Sequence, residues 1–444
     1  MSDRQQNDQN DFLVERIKVR PINRKKLIRR TILTAAMAVI FGLIACVTFL
    51  VLEPVINRWL YPEEKPPMVS FPEDRVEMLP EEMLAENLPA ESPSPPPAEE
   101  SAPVELEDEQ IQEILASVVL DRENYVELYT AMSGYVNELK KYLVTVTVVT
   151  SNVDWFNNVQ ESRNQISGLV VANNGKELLV LADASTLRRA EKLLFTFSNG
   201  VQVPARIKQQ DSITNLAMLS VELTELPEEM QQEEIPIAQL GSSYRNLVGV
   251  PVVAMGRPMG TMDSIGYGMV TSANVQLSVS DRNYNLLLTD ISGSQNAGGF
   301  LFDLQGEVVG IVIGNKTGSD MKNMINAYGI SEVKRIIEKM SGESAVAYMG
   351  IRGLDVPAEV NQELGVPMGA FVKELDTDSP AMPAGLQPGD VIVGINERSI
   401  GSFTEYTNVL LQLSPGDTVE LTVMRKAQEE YKEMKFSIEL GEVK

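Results

Sequence analysis

Between residues 141 and about 340 the chain is written in short, β-rich apolar runs broken by Gly, Asn and Asp: 143–149, 166–172, 178–181, 193–197, 216–221, 250–255, 286–288 and 308–313. Runs of this composition read as strands. Strands at that spacing with few helices predict an all-β barrel or a pair of barrels. A helix over 330–340 closes the region, with Ser331 as a cap near its start. Inside it, the run Asn285–Leu288 leads into Thr289-Asp290-Ile291-Ser292-Gly293-Ser294-Gln295-Asn296-Ala297-Gly298-Gly299-Phe300, and the next run follows the turn at Gln305-Gly306. That layout places a Gly-rich loop between two strands.

Composition removes several function classes. The chain has 444 residues, enough for two or three domains with real cores. Its formal net charge of −24, from 38 Lys+Arg against 62 Asp+Glu, argues against nucleic acid, which needs a basic footprint. One cysteine, Cys46, leaves no intrachain disulfide. There is no histidine, which excludes a His-dependent triad and removes the commonest zinc ligand. No cofactor and no metal are expected, since carboxylates such as Asp183 and Asp290 lack a metal-binding spacing.

The N-terminal third is of a different kind. Residues 1–30 form a basic tail, and residues 31–52 carry neither charge nor proline. As a helix, that stretch would span roughly 33 Å, enough for a hydrocarbon core of about 30 Å. A retained transmembrane anchor is expected, with the N-terminus cytoplasmic and the folded domains outside the cell membrane. A cleaved signal peptide and a lipobox at Leu43-Ile44-Ala45-Cys46 are the other readings of this stretch. Residues 53–104, with twelve of the 24 prolines and many glutamates, predict an extended, solvated spacer. Residues 105–141 show helical periodicity at Ile111, Ile114, Leu115, Val118 and Val119, continuing through Tyr125, Leu128, Tyr129 and Met132. The segment reads as a helix packed on the next domain, or as an oligomerisation segment.

Residues 345–440 form a separate unit. Its markers are Ser379-Pro380-Ala381, Ala384-Gly385-Leu386 and Gly389-Asp390-Val391-Ile392 through Ile395-Asn396, with a short helix at 404–413 and a closing strand at 418–425. This pattern closely resembles a bacterial PDZ domain. The resemblance implies that backbone N–H groups at Tyr348, Met349, Gly350 and Ile351 cradle a peptide's C-terminal carboxylate while the peptide adds as a strand. Tyr406, Val409 and Leu410 would then wall a pocket for an apolar last residue.

Residues 142–341 resemble the trypsin-like domain of the HtrA/Deg serine protease family. Ser167-Gly168-Leu169-Val170-Val171, Leu240-Gly241-Ser242-Ser243, Val252 through Gly260 and the 289–300 stretch carry the likeness. The resemblance implies a double β-barrel followed by PDZ. It puts the family's catalytic histidine at Asp183, its aspartate at Asn215 and its nucleophilic serine at Ala297. Gln295 replaces a family glycine and Phe300 a proline. Such a triad works because histidine takes the serine proton and the aspartate orients the histidine. Asp183, Asn215 and Ala297 supply none of these functions.

The expected protein is therefore a membrane-anchored, inactive HtrA-like homologue. It would bind polypeptide C-termini, or unfolded or partner proteins, in envelope quality control or regulation, with a homotrimer as its possible assembly. The alternatives are an active endopeptidase with an unconventional nucleophile such as Ser292 or Ser294, and a structural oligomeric scaffold.

Overall fold

The computed structural model describes residues 37, 68–72, 74, 122–153, 159–232, 235–314, 323–342, 344–428 and 430–442. The expected membrane segment, apart from Met37, and residues 105–121 lie outside the described residues. Among the described residues no helix is long and apolar enough to cross a membrane.

Helix α1 (Arg122–Leu139) leads into two closed six-stranded barrels. The first contains β1 (Leu143–Val153), β2 (Val159–Asn173), β3 (Glu177–Asp183), β4 (Lys192–Thr196), β5 (Gln202–Asp211) and β6 (Leu216–Glu222), in the order β1-β2-β3-β6-β5-β4. After the short helix α2 (Glu228–Gln232) comes the second. It contains β7 (Pro251–Arg257), β8 (Ser264–Val279), β9 (Arg282–Ser292), β10 (Gly298–Phe302), β11 (Val308–Ile313) and β12 (Met324–Gly329), in the order β10-β11-β12-β9-β8-β7. The expected double barrel is thus what the chain forms.

Strand alternation sorts the side chains into separate cores. In β3, Leu178, Val180 and Ala182 fill the first barrel, while Leu179 and Leu181 point outward into the layer between the barrels. Strand β6 does the same, with Ala217, Leu219 and Val221 inward and Leu216 and Met218 outward. With both faces covered, these strands are buried nearly throughout, as period-2 geometry requires. The inter-barrel layer also takes Met255, Leu286, Phe300 and Phe302 from the second barrel. Helix α3 (Ile330–Ser341) seals it with Ile330, Val333, Ile336, Ile337 and Met340 along one face. Ser331 is not its cap: the N-cap is Gly329, and the Ser331 N–H donates to Ser243 Oγ at 3.1 Å.

Two expectations for the preceding segments need correction. Residues 68–72 and 74 are not free spacer. Val69 and Phe71 pack on the inter-barrel core, and the Val69 and Phe71 N–H groups donate to Ser341 Oγ and Glu338 Oε1 at 2.9 and 2.6 Å. The Lys334 ammonium donates to Asp74 Oδ1 at 2.6 Å. In α1, the docking face is Met132, Tyr135, Val136 and Leu139, whereas Tyr125, Leu128 and Tyr129 stay exposed.

The C-terminal unit opens with β13 (Ala347–Tyr348) and β14 (Ile351–Asp355). It continues through α4 (Ala358–Leu364), β15 (Ala370–Leu375), α5 (Ala381–Ala384), β16 (Val391–Ile395), β17 (Arg398–Ser399), α6 (Phe403–Leu410), β18 (Thr418–Ala427), β19 (Glu430–Glu439) and β20 (Gly441–Glu442). Its main sheet runs β14-β15-β16-β18-β19, so β14 is an outer strand. Strand β19 lies beyond the closing strand that the sequence predicts, because its charged residues hide an alternation that buries only Ile438 fully.

One polar contact in the first barrel gives a pH prediction. Burial alone would raise the Glu177 carboxyl. The Lys208 ammonium, with a hydrogen bond from the Ser220 hydroxyl, outweighs burial and holds it below its ordinary 4.5. The stability it contributes is therefore complete above about pH 4.5 and is lost as pH falls through the lower folded value. Thermal melts of wild type and Glu177→Gln should differ at pH 7 and converge as the pH falls below 4.5 and through the lower folded value.

Candidate functional site

The residues that the resemblance assigns to a triad come from three places. Asp183 ends β3, Asn215 sits in the turn before β6, and Ala297 directly precedes β10. The β3–β6 pairing sets Asp183 opposite Leu216, next to Asn215. Asn215 adopts a left-handed conformation, φ 64°, which asparagine tolerates better than most residues. There its Nδ2 donates to Asp183 Oδ1 at 2.9 Å, and its carbonyl accepts the Ala184 N–H at 2.8 Å. Asp183 Oδ1 also accepts the Ser185 N–H, at 2.6 Å. The carboxylate is thus absorbed in local turn bonds.

The loop between β9 and β10 is shorter than the sequence suggested. Strand β9 runs through Thr289–Ser292 and β10 begins at Gly298, so only residues 293–297 are loop. A strand ladder on both sides overrides the Gly-rich composition there. The Gly293 N–H donates to the Asn323 carbonyl at 2.7 Å, and the Ser294 N–H to the Pro258 carbonyl at 3.1 Å. The Ala297 N–H, which an oxyanion site would need, donates instead to the Ser294 carbonyl at 3.0 Å. Ser294 Oγ accepts from the Asn296 N–H at 3.2 Å and serves the turn. Ala297 is buried in the second-barrel core, 4% exposed, and Phe300 in the layer between barrels.

Asp183, Asn215, Arg257, Gly298 and Gly299 line one small cavity at the junction of the barrels, about 40 Å³ in volume. That is room for roughly three waters. The site brings Asp183 and Asn215 together beside the strand that follows Ala297, and Ser167 and Thr214 also line it. Among the described residues no group of three or more carboxylate, Cys or His side chains could hold a metal ion.

The second set of predicted residues lies 50 to 110 positions further on. Strand β13 ends at Tyr348, Gly350 takes φ 83°, and β14 starts at Ile351. A side chain at Gly350 would also strike Ser379 Cβ at 2.2 Å, so this turn requires glycine. It aims the N–H groups of Met349, Gly350 and Ile351 at one point. These donate to a carboxylate at 2.8, 2.8 and 3.0 Å, and that carboxylate is Asp281, in the turn between β8 and β9. Tyr348 contributes differently: its hydroxyl donates to Asp376 Oδ2 at 3.0 Å, and burial followed by that carboxylate raises its pKa.

The helix wall also departs from expectation. Tyr406 is fully buried and its hydroxyl donates to Asp281 Oδ1 at 2.6 Å, so it meets a carboxylate rather than an apolar group. Leu410 belongs to the unit's own core, and Val409 is half-buried against that core. Burial pushes the Asp281 carboxyl up, while the three N–H groups and Tyr406 pull it back. Sequence reasoning missed Asp281 because it sits outside the unit whose groove it enters. The one local signal was its place in the Ser280-Asp281 turn.

Comparison with known proteins adds two domain assignments. Residues 166–311 match the trypsin-like peptidase domain family and residues 347–438 the PDZ domain family. The chain is 28% identical over 276 residues to a "Probable periplasmic serine endoprotease DegP-like" of Halomonas elongata, covering 61% of this chain and 55% of that one. It is 30% identical over 292 residues to a protein of the same description in Hahella chejuensis, covering 64% and 58%. It is 26% identical over 289 residues to "Serine protease Do-like HtrA" of Bacillus subtilis, covering 61% and 63%. The chain thus spans between 55% and 63% of the length of these relatives. Among solved structures, a variant of the HtrA-type protease AlgW with a tripeptide aligns at TM-score 0.50 and 20% identity, covering 70% of this chain and 97% of the other. That likeness concerns the fold.

Proposed function

The chain belongs to the HtrA family of trypsin-like, PDZ-bearing proteins, and from that premise we propose that it is a catalytically silent member that binds polypeptides through its PDZ groove. The observation that carries the reading is at Ala297: it has no group that can attack a carbonyl, and its N–H is already spent on Ser294. Asp183 and Asn215 support it, since they satisfy each other and the chain has no histidine to act as base. The three convergent N–H groups at Met349–Ile351 support carboxylate binding. The basic tail, the apolar stretch 31–52 and the periplasmic description of the relatives support a membrane anchor with the folded domains outside the cytoplasm. Its setting would be envelope protein quality control or its regulation.

The purified full chain should neither cleave unfolded casein nor react with a fluorophosphonate probe; labelling at Ser292, Ser294 or any other serine would overturn the reading. Ala297→Ser alone should also stay inert, below one part in ~10⁴ of an active relative. It restores a hydroxyl but no base, and triad members act as a unit.

A further inference from the structure

In the PDZ unit, the position where an incoming chain would add is already filled. Strand β14 is the outer strand of its sheet, and an added peptide would pair along its open edge, between β14 and α6. Alternate carbonyls of that edge, Ile351 and Gly353, accept instead from the β8–β9 hairpin. The Asp281 N–H donates to the Ile351 oxygen at 2.6 Å, and Asn283 Nδ2 to the Gly353 oxygen at 3.0 Å. The first of these is the bond a bound peptide strand would make.

The far wall holds the same residue. Thr407 Oγ1 on α6 donates to the Asp281 carbonyl at 2.8 Å, and Tyr406 binds its carboxylate. One position earlier, the Ser280 hydroxyl donates to Asp376, a carboxylate that also takes Tyr348 and Arg352. Asp281 lies in a two-residue turn with φ 61°, where an aspartate is ordinarily solvated, yet it is 0% exposed. Burying an ionised carboxylate is costly unless donors replace its water. Here four donors converge on its two oxygens.

We propose that the β8–β9 hairpin is an intramolecular ligand of the PDZ groove, with the Asp281 carboxylate standing where a polypeptide's C-terminal carboxylate would sit. The groove then admits an outside chain only as the hairpin leaves. An entering C-terminus displaces the Asp281 side chain from Met349–Ile351 and its N–H from Ile351. The apparent affinity for such a ligand is lowered by the fraction of molecules in which the hairpin is seated. This rests on the peptide-binding reading above and adds its regulation.

Two measurements on the full chain separate the two claims. The first is residue-resolved hydrogen exchange of the Met349, Gly350 and Ile351 amides. The second is fluorescence anisotropy with a labelled heptapeptide ending in a free valine carboxylate, with its C-terminal amide as control. Asp281→Ala should speed exchange at the three amides at least tenfold and tighten the free-acid peptide at least tenfold, leaving the amidated one unbound. Asp281→Asn, which keeps the size of the side chain, should shift both readouts the same way by less. In the wild type, saturating free-acid peptide should release the Asp281 amide itself to exchange, a readout that needs no variant. Unchanged exchange at 349–351 and equal peptide affinity in wild type and Asp281→Ala would overturn the gate while leaving peptide binding intact. Faster exchange without peptide binding would uphold the hairpin as the groove's occupant and sink the peptide-binding reading instead.

Discussion

Arg282→Met is expected to destabilise the barrels by about 3–5 kcal/mol. Arg282 is 2% exposed, and its Nη1 donates to Asp211 Oδ2 at 3.0 Å and to the Tyr284 hydroxyl at 3.2 Å. Burial opposes its charge, yet Tyr284 and Asp211 raise its pKa further above the ordinary arginine range. Asp211 is equally enclosed, 4% exposed, and gathers the Thr214 N–H and hydroxyl as well. Removing the guanidinium leaves that carboxylate buried with only neutral donors, and this uncompensated charge is where the cost arises. The double variant Arg282→Met with Asp211→Leu should recover a large part of the loss, because replacing both partners removes the stranded charge. Urea unfolding of the wild type, both singles and the double would measure the coupling. A double variant no better than the sum of the singles would contradict this account. Because Arg282 directly follows Asp281, the single variant should also loosen the hairpin in the PDZ groove.

The barrels were legible in the sequence to the extent that their strands are buried on both faces. Continuous apolar runs such as Leu178–Leu181 and Val308–Ile313 announced themselves because β3 and β11 are covered on each side. Strand β5, with exposed and half-buried positions along most of its length, offered no such run. Strand β10 starts inside the stretch whose composition predicts loop, because Gly298 and Gly299 carry no strand preference of their own. Its pairing with β7 and β11 supplies what propensity does not. For the site, the resemblance pointed to Asp183 and Asn215, which the fold joins by a hydrogen bond, and to Ala297, which directly precedes the Gly298 that lines the same cavity. It also located the carboxylate-binding turn, because a glycine with φ 83° between two strands is a local requirement. What occupies that turn was not legible. The bonds between Asp281 and residues 349–351 join positions about 70 apart, and no local pattern records such a contact.

The second large effect contrasts two adjacent glycines, and it tests what the glycines that follow Ala297 are for. Gly299→Ala is expected to cost about 2–5 kcal/mol. Gly299 has φ 126°, a backbone that L residues rarely adopt, and a Cβ there would lie 2.1 Å from the Met255 carbonyl oxygen. Both neighbours are fixed, since Gly299 pairs with Gly256 on β7 and with Val312 on β11. Backbone strain of about 1–2 kcal/mol adds to overpacking of about 1–3 kcal/mol, with no flexible side chain able to yield. Gly298→Ala meets nothing within 4 Å, because its Cβ would face the small cavity at the barrel junction. It should leave stability within about 1 kcal/mol of wild type. Thermal melts of the two variants read the difference directly. If instead both substitutions were mild, the close approach of β10 to β7 would not be what requires glycine at 299. The expected asymmetry gives the second glycine a structural reason: it is needed to close the barrel whether or not any bond is ever cut beside it.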